Sequence, residues 1–178
     1  VLLVRGAHPQ GGGEGVGGDD GGRSMRDIEE KLSTGVSRVI LGTVAVKNPE
    51  IVKEAVKNYG DKIAVGIDAK NGMVAVNGWE EVSKVPAMEL CVKMAKMGVK
   101  TIIYTDISKD GMMVGPNVDE TKKIVDATGV NIIASGGIST MADIEKMENI
   151  GAHGVIIGKA LYEGSLSLSE VIKKFEKR

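Results

Sequence analysis

The sequence predicts an α/β fold of parallel strands and covering helices, in the form of a (β/α) barrel rather than an open doubly wound sheet. Three observations carry this. Short apolar runs alternate with amphipathic segments, the pattern of successive βα units in a parallel sheet. One such unit occurs twice in the chain. Nearly every strand candidate also ends in glycine or polar residues, and in a barrel those ends converge on one mouth, where the active site of that architecture is built.

The strand candidates, in order, are 37–42 (SRVILG), 62–67 (KIAVGI), 100–105 (KTIIYT), 131–134 (NIIA) and 154–158 (GVIIG). They are almost continuously apolar instead of alternating, as expected of strands covered on both faces. Helix candidates fall at 25–33, 49–59, 86–97, 117–127, 140–148 and 168–177. Pro49 and Pro86 stand at two predicted first turns, where a missing N–H costs nothing. Gly35, Gly60, Gly98, Gly129 and Gly151 follow predicted helix ends. The polar strand ends are Gly42-Thr43, Asp68, Thr105-Asp106, Ser135-Gly136-Gly137 and Gly158-Lys159. Any one of these could be a turn or cap; five alike point to a shared site.

The repeat is visible by spacing. Asp27-Ile28-Glu29 is followed by five residues, Gly35, three residues, Val39-Ile40, one residue and Gly42. Asp143-Ile144-Glu145 is followed by the same pattern, through Gly151 and Val155-Ile156 to Gly158. Each copy is preceded by a glycine pair, Gly21-Gly22 or Gly136-Gly137, although the first copy is one residue shorter there. A Gly-Gly turn opening a helix lets backbone N–H groups approach an anion, which suits phosphate. Two such turns predict two phosphate pockets at one mouth, and hence a substrate with a phosphate at each end.

Composition narrows the classes. The chain has 178 residues, enough for one well-buried core. Its 23 basic and 24 acidic residues leave no footprint for nucleic acid or an anionic membrane. The single cysteine, Cys91, allows no intrachain disulfide and fits a reducing, cytoplasmic setting. The N-terminal run Val1-Leu2-Leu3-Val4 is too short for a signal core or a membrane span. His8 and His153 are isolated, and no metal-ligand spacing is present.

Five motifs, in order, "VGIDAKNGMVAVNGW", "IIYTDISKDG", "GPN", "ASGGIST" and "VIIGKALYEG", closely resemble the phosphoribosylformimino-5-aminoimidazole carboxamide ribotide isomerases of histidine biosynthesis. The likeness covers about residues 21–175. The sister cyclase subunit of imidazole glycerol phosphate synthase is the second-ranked match. The resemblance implies a duplicated (β/α)8 barrel and an Amadori rearrangement of a bisphosphorylated aminoaldose to an aminoketose. That chemistry uses an acid to open the ribose ring and a base to remove the C2 proton, with no metal or redox cofactor. It implies that Asp68 is the proton donor and that Thr105 and Asp106 support the reaction centre. Gly42-Thr43 with Gly21, Gly22 and Arg23 would hold one phosphate. Ser135, Gly136 and Gly137 with Gly158 and Lys159 would hold the other. Trp79 would lie on a loop folding over the substrate.

The chain departs from that family at its start. A (β/α)8 barrel takes about 200–250 residues or more. The family's first two βα units, with the proton-accepting aspartate, are largely missing from the match. Residues 1–20 therefore form an irregular, Gly-rich segment in this reading, with 21–178 supplying the third to eighth βα units. An N-terminally incomplete barrel would expose sheet edges, so self-association through those edges is expected. A catalytically silent phosphate-binding scaffold is the competing expectation.

Overall fold

The computed structural model describes residues 24–176, together with the backbone of a short strand at 2–5. That strand is β1 (Leu2–Arg5), and α1 (Met25–Ser33), β2 (Val39–Leu41), α2 (Val44–Lys47), α3 (Pro49–Tyr59) and β3 (Ile63–Lys70) follow it. Next come β4 (Met73–Val76), β5 (Glu81–Pro86), α4 (Ala87–Lys96), β6 (Thr101–Asp106), α5 (Val118–Thr128) and β7 (Asn131–Ser135). The chain continues through α6 (Met141–Asn149), β8 (Gly154–Ile157), α7 (Lys159–Tyr162) and α8 (Leu168–Phe175). β2, β3, β6, β7, β8 and β1 lie side by side in that order, all parallel. Strands of one direction put all their C-terminal ends on one side. This is the α/β architecture of a (β/α)8-type barrel.

Three features differ from the sequence reading. β1 lies in the segment expected to be irregular and pairs Leu2 with Gly154 and Arg5 with Ile157, so β8 is not a sheet edge. β3 continues past Asp68 into an antiparallel hairpin with β4, which pairs in turn with β5. The first turn is Asn71-Gly72, with φ 52 and 77, the two-residue connection whose twist matches the flanking strands. Pro86, expected inside a helix, instead ends β5 with extended backbone and precedes α4 as its cap.

Residue parity along the strands builds the core. Val39 and Leu41 of β2, Ile63, Val65 and Ile67 of β3, Ile102 and Tyr104 of β6, and Ile132 of β7 alternate onto one face and are buried. They pack with Ile28 of α1, Val52 and Ala55 of α3, Leu90, Cys91 and Met94 of α4, and Ile124 of α5. Each such fully buried aliphatic side chain contributes about 1.5–3 kcal/mol relative to exposure. Ala134, Val155 and Ile157 continue the same face onto Ile144, Met147, Val171 and Phe175. The helix-covered face is therefore the main core, which leaves the other face to build the mouth.

The duplication is carried into the fold. α1 and α6 have nine residues each, and Ser24 and Thr140 cap them by accepting from Asp27 N and Asp143 N. Gly35 and Gly151 leave the two helices at φ 90 and 85. After the following strands, Ala45 N bonds Gly42 O at 2.9 Å and Leu161 N bonds Gly158 O at 3.0 Å. Lys47 N to Thr43 O and Glu163 N to Lys159 O complete the matched turns, at 3.1 and 2.9 Å. Two halves of the sequence thus make the same β–turn–short-helix device.

Candidate active site

Asp68, Thr105 and Ser135 occupy one lateral row across β3, β6 and β7, each the Cα partner of the next. Lateral partners in a parallel sheet point to the same face, which here is the face not covered by helices. A carboxylate continued by two hydroxyls along the C-terminal strand ends can exchange protons with a ligand laid across them. Thr105 is buried, whereas Asp68 and Ser135 are half-buried and reachable from the mouth.

The β4–β5 hairpin leans over this row. Trp79 donates its indole N–H to Asp68 Oδ2 at 2.7 Å. Asn77 ties the hairpin tip to the end of β2: its backbone N–H donates to Thr43 Oγ1 at 3.1 Å, and its Oδ1 accepts from Lys47 Nζ at 2.9 Å. Its Nδ2 also donates to Glu81 Oε2 at 3.1 Å. Asn77, Gly78 and Trp79 all have positive φ, so the tip is a tight left-handed turn. Two predicted site residues, Thr43 and Asp68, are thereby brought under one hairpin.

Asp106 follows Thr105 and so faces the opposite, helix-covered side. Its Oδ1 accepts from Ser108 N at 3.0 Å and Ser108 Oγ at 2.6 Å, and its Oδ2 from Asn117 Nδ2 at 2.8 Å. Beside it the Tyr104 phenol is driven up in pKa by burial, then by the carboxylates of Glu120 and Asp106. Gly136 and Gly137 are buried with φ 96 and 81. A Cβ on Gly136 would stand 2.6 Å from Asp106 O, and one on Gly137 only 2.3 Å from Gly115 O. The glycine pair thus admits the β6–α5 loop as well as any ligand.

At the following turn, the Asp143 carboxylate occupies the start of α6. Its Oδ2 accepts from Ser139 N, Ser139 Oγ and Thr140 N, all at 3.0 Å. An incoming anion is therefore left with the glycine N–H groups and the β8 end rather than the first turn of α6. At that β8 end, no atom of the described residues beyond its chain neighbours stands within 4 Å of where a Gly158 Cβ would be, so they leave the backbone open to close approach. The Lys159 ammonium pairs with Glu163 Oε1 at 3.4 Å on the exposed face of α7. Gly21, Gly22 and Arg23 lie outside the described residues.

Two further candidates at these strand ends escaped the sequence reading. Asn117 was visible only as part of "GPN", and its double role, capping α5 through Glu120 N at 3.2 Å and donating to Asp106, needs the folded loop. Asp110, in "SKDG", has its carboxyl pushed up by desolvation although its side chain reaches solvent. A carboxylate that holds its proton more tightly than usual, on a loop at the strand ends, is a candidate general acid. Among the described residues no group of three or more His, Cys, Asp or Glu is placed to hold a metal ion.

Parallel strands with aligned polar ends, a hairpin over the carboxylate and a repeated strand–glycine–helix turn define a duplicated (β/α)-barrel protein with its candidate site at one mouth. The histidine biosynthesis protein family matches residues 15–167. A relative from Lachnoclostridium phytofermentans is 57% identical over 162 residues, 90% of this chain and 67% of its own length. It is named 1-(5-phosphoribosyl)-5-((5-phosphoribosylamino)methylideneamino) imidazole-4-carboxamide isomerase. Relatives with the same name from Thermoanaerobacter pseudethanolicus and Acetivibrio thermocellus are each 51% identical over 151 residues, covering 85% of this chain and 64% of theirs. The chain belongs to the histidine biosynthesis protein family. It spans about two thirds of the length of the curated relatives it matches.

Proposed function

We propose that the chain is an aldose–ketose isomerase acting on a bisphosphorylated aminoimidazole carboxamide ribotide, by acid–base catalysis in the cytoplasm. The observation that carries this is the row Asp68–Thr105–Ser135 at the open strand ends, with Trp79 bonded to Asp68. Asp68 gives the proton that opens the ribose ring, Thr105 holds the opened chain beside it, and the C2 proton goes to a base in the family's first βα units, outside the stretch this chain matches. Asp110, with its raised pKa, is the second candidate for the ring-opening proton. Asp106 supports the centre from the loop side. Gly42 and Thr43 take one phosphate, and Ser135, Gly136, Gly137, Gly158 and Lys159 take the other. The relatives' shared isomerase name supports this over the scaffold reading and over the cyclase. No helix among the described residues is long and apolar enough to cross a membrane.

The test is isomerisation of the bisphosphorylated substrate by the purified chain, with and without the family's first two βα units supplied in trans, and with Asp68→Asn and Asp110→Asn compared in parallel. Whichever variant binds substrate but loses turnover carries the proton. Self-association through a barrel edge belongs to the same proposal. Light scattering tests it, and a strictly monomeric chain contradicts it.

A further inference from the structure

We propose that Asp106 and Asn117 form a positioning pair that fixes where Gly136 and Gly137 stand, and thereby sets the affinity of that glycine turn for a phosphate group. The consequence for phosphate rests on the function proposed above; the geometric part does not.

The path is continuous. The buried Asp106 carboxylate is divided between its own loop, through Ser108 N and Oγ, and the far end of that loop, through Asn117 Nδ2 at 2.8 Å. Asn117 is anchored by α5, since its Oδ1 accepts from Glu120 N at 3.2 Å and its backbone oxygen from Thr121 Oγ1 at 2.6 Å. One hydrogen bond therefore closes the loop 107–116 at its two ends. The closed loop then lies on the glycine turn. Gly115 N donates to Gly137 O at 3.1 Å, and Asp106 O stands where a Gly136 side chain would begin. A shift of the loop carries the glycine turn with it, because Gly115 N holds Gly137 O and the loop backbone fills the space a side chain at either glycine would need.

Asn117 as a plain helix cap would be replaceable by aspartate, an equally good capping residue. Asn117 as a partner of Asp106 would not, because two carboxylates would then face each other at hydrogen-bonding distance. Exchanging the two residues restores the bond with its direction reversed. In Asp106→Asn/Asn117→Asp, the new amide at 106 donates to the carboxylate at 117, still accepts from Ser108, and leaves an oxygen for Glu120 N. Asn117→Asp sets two carboxylates face to face, and Asp106→Asn keeps a bond to Asn117 only by giving up Ser108 or by turning the Asn117 oxygen away from Glu120 N.

The experiment is a titration of the four proteins, wild type, Asp106→Asn, Asn117→Asp and the double exchange, with inorganic phosphate. Gly136 and Gly137 are followed by their amide NMR shifts, and hydrogen exchange is measured at the Gly115 amide. Wild type and the double exchange are expected to bind alike, with each single variant weaker by about tenfold. Gly115 is expected to exchange slowly in the first two and faster in the singles. Asp106→Asn carries the comparison should Asn117→Asp not fold. Single variants equal to wild type, or a double exchange no better than the singles, overturn the pair. Phosphate that leaves both glycine amides of the wild type unmoved removes the phosphate consequence and the assignment beneath it. Gly115 exchange then decides the geometric claim by itself, and equal protection in all four proteins refutes it.

Discussion

Trp79 reaches Asp68 from a backbone at φ 72, and its indole N–H closes on the carboxylate at 2.7 Å. A bulky side chain in the left-handed region costs on the order of 1–3 kcal/mol and persists only where its surroundings hold it. Here the holding groups are Asp68 and the ties from Asn77 to Thr43 and Lys47. The hairpin and the candidate proton donor are thus one unit.

Trp79 is the single tryptophan and is 45% exposed, so it reports on the mouth without a label. Substrate entering beneath the hairpin is expected to shift its fluorescence to the blue as water leaves the ring. A fluorescence titration that saturates without any spectral change contradicts the placement of substrate under Trp79.

Gly137→Ala is expected to lose about 2 kcal/mol or more of stability, because it combines a strained φ of 81 with a Cβ driven to 2.3 Å from Gly115 O. Urea denaturation measures this. A loss near zero would mean that the β6–α5 loop moves aside freely, against the close contact described above.

Asp110 makes stability depend on pH with a definite sign. Its folded pKa is raised above the ordinary 3.8 by desolvation. Its contribution is therefore complete below that value and is lost as pH rises through the raised one. Asp110→Asn removes the loss, so at neutral pH the variant is expected to be at least as stable as wild type, with the difference vanishing under strong acid. Thermal melts across acid and neutral pH test this, and an Asp110→Asn that is less stable only at neutral pH contradicts it.

Cys91 is fully buried in α4, and burial pushes its thiol from 9.0 up to about 12. The thiolate, the reactive form, is accordingly scarce at neutral pH. Modification by a thiol reagent is expected to wait for unfolding and to accelerate with urea. Stability linked to this group is complete below pH 9 and falls as pH rises toward 12. Rapid labelling in native buffer would contradict the packing of α4.

Much of the fold was legible because its signals are local. The helices 25–33 and 49–59 match α1 and α3 to the residue, since cap, apolar spacing and terminal glycine agree there. The β4–β5 hairpin was missed although "KNGM" and "VNGW" both carry the Asn-Gly turn signal. β5 (EVSKVP) is mostly polar and half-exposed, so it carries no apolar strand signal. β1 was missed because four apolar residues say nothing until β8 supplies a partner. In the candidate site, strand-end position singled out Asp68 and Thr105, but the row they share with Ser135 is a matter of register, which single strands do not encode. Asp106 shows the same limit. Its neighbour Thr105 faces the mouth, while its own carboxylate is spent on Ser108 and Asn117.

Turnover of the bisphosphorylated aminoimidazole carboxamide ribotide by wild type and by Asp68→Asn, each completed with the family's first two βα units and with substrate affinity measured on both, tests the central claim most directly. The account predicts turnover by wild type, nearly unchanged affinity in the variant, and a rate lower by about 10²–10⁴-fold, the loss typical of a removed general acid. Substrate bound by wild type without turnover, or an Asp68→Asn that turns over at the wild-type rate, would contradict it.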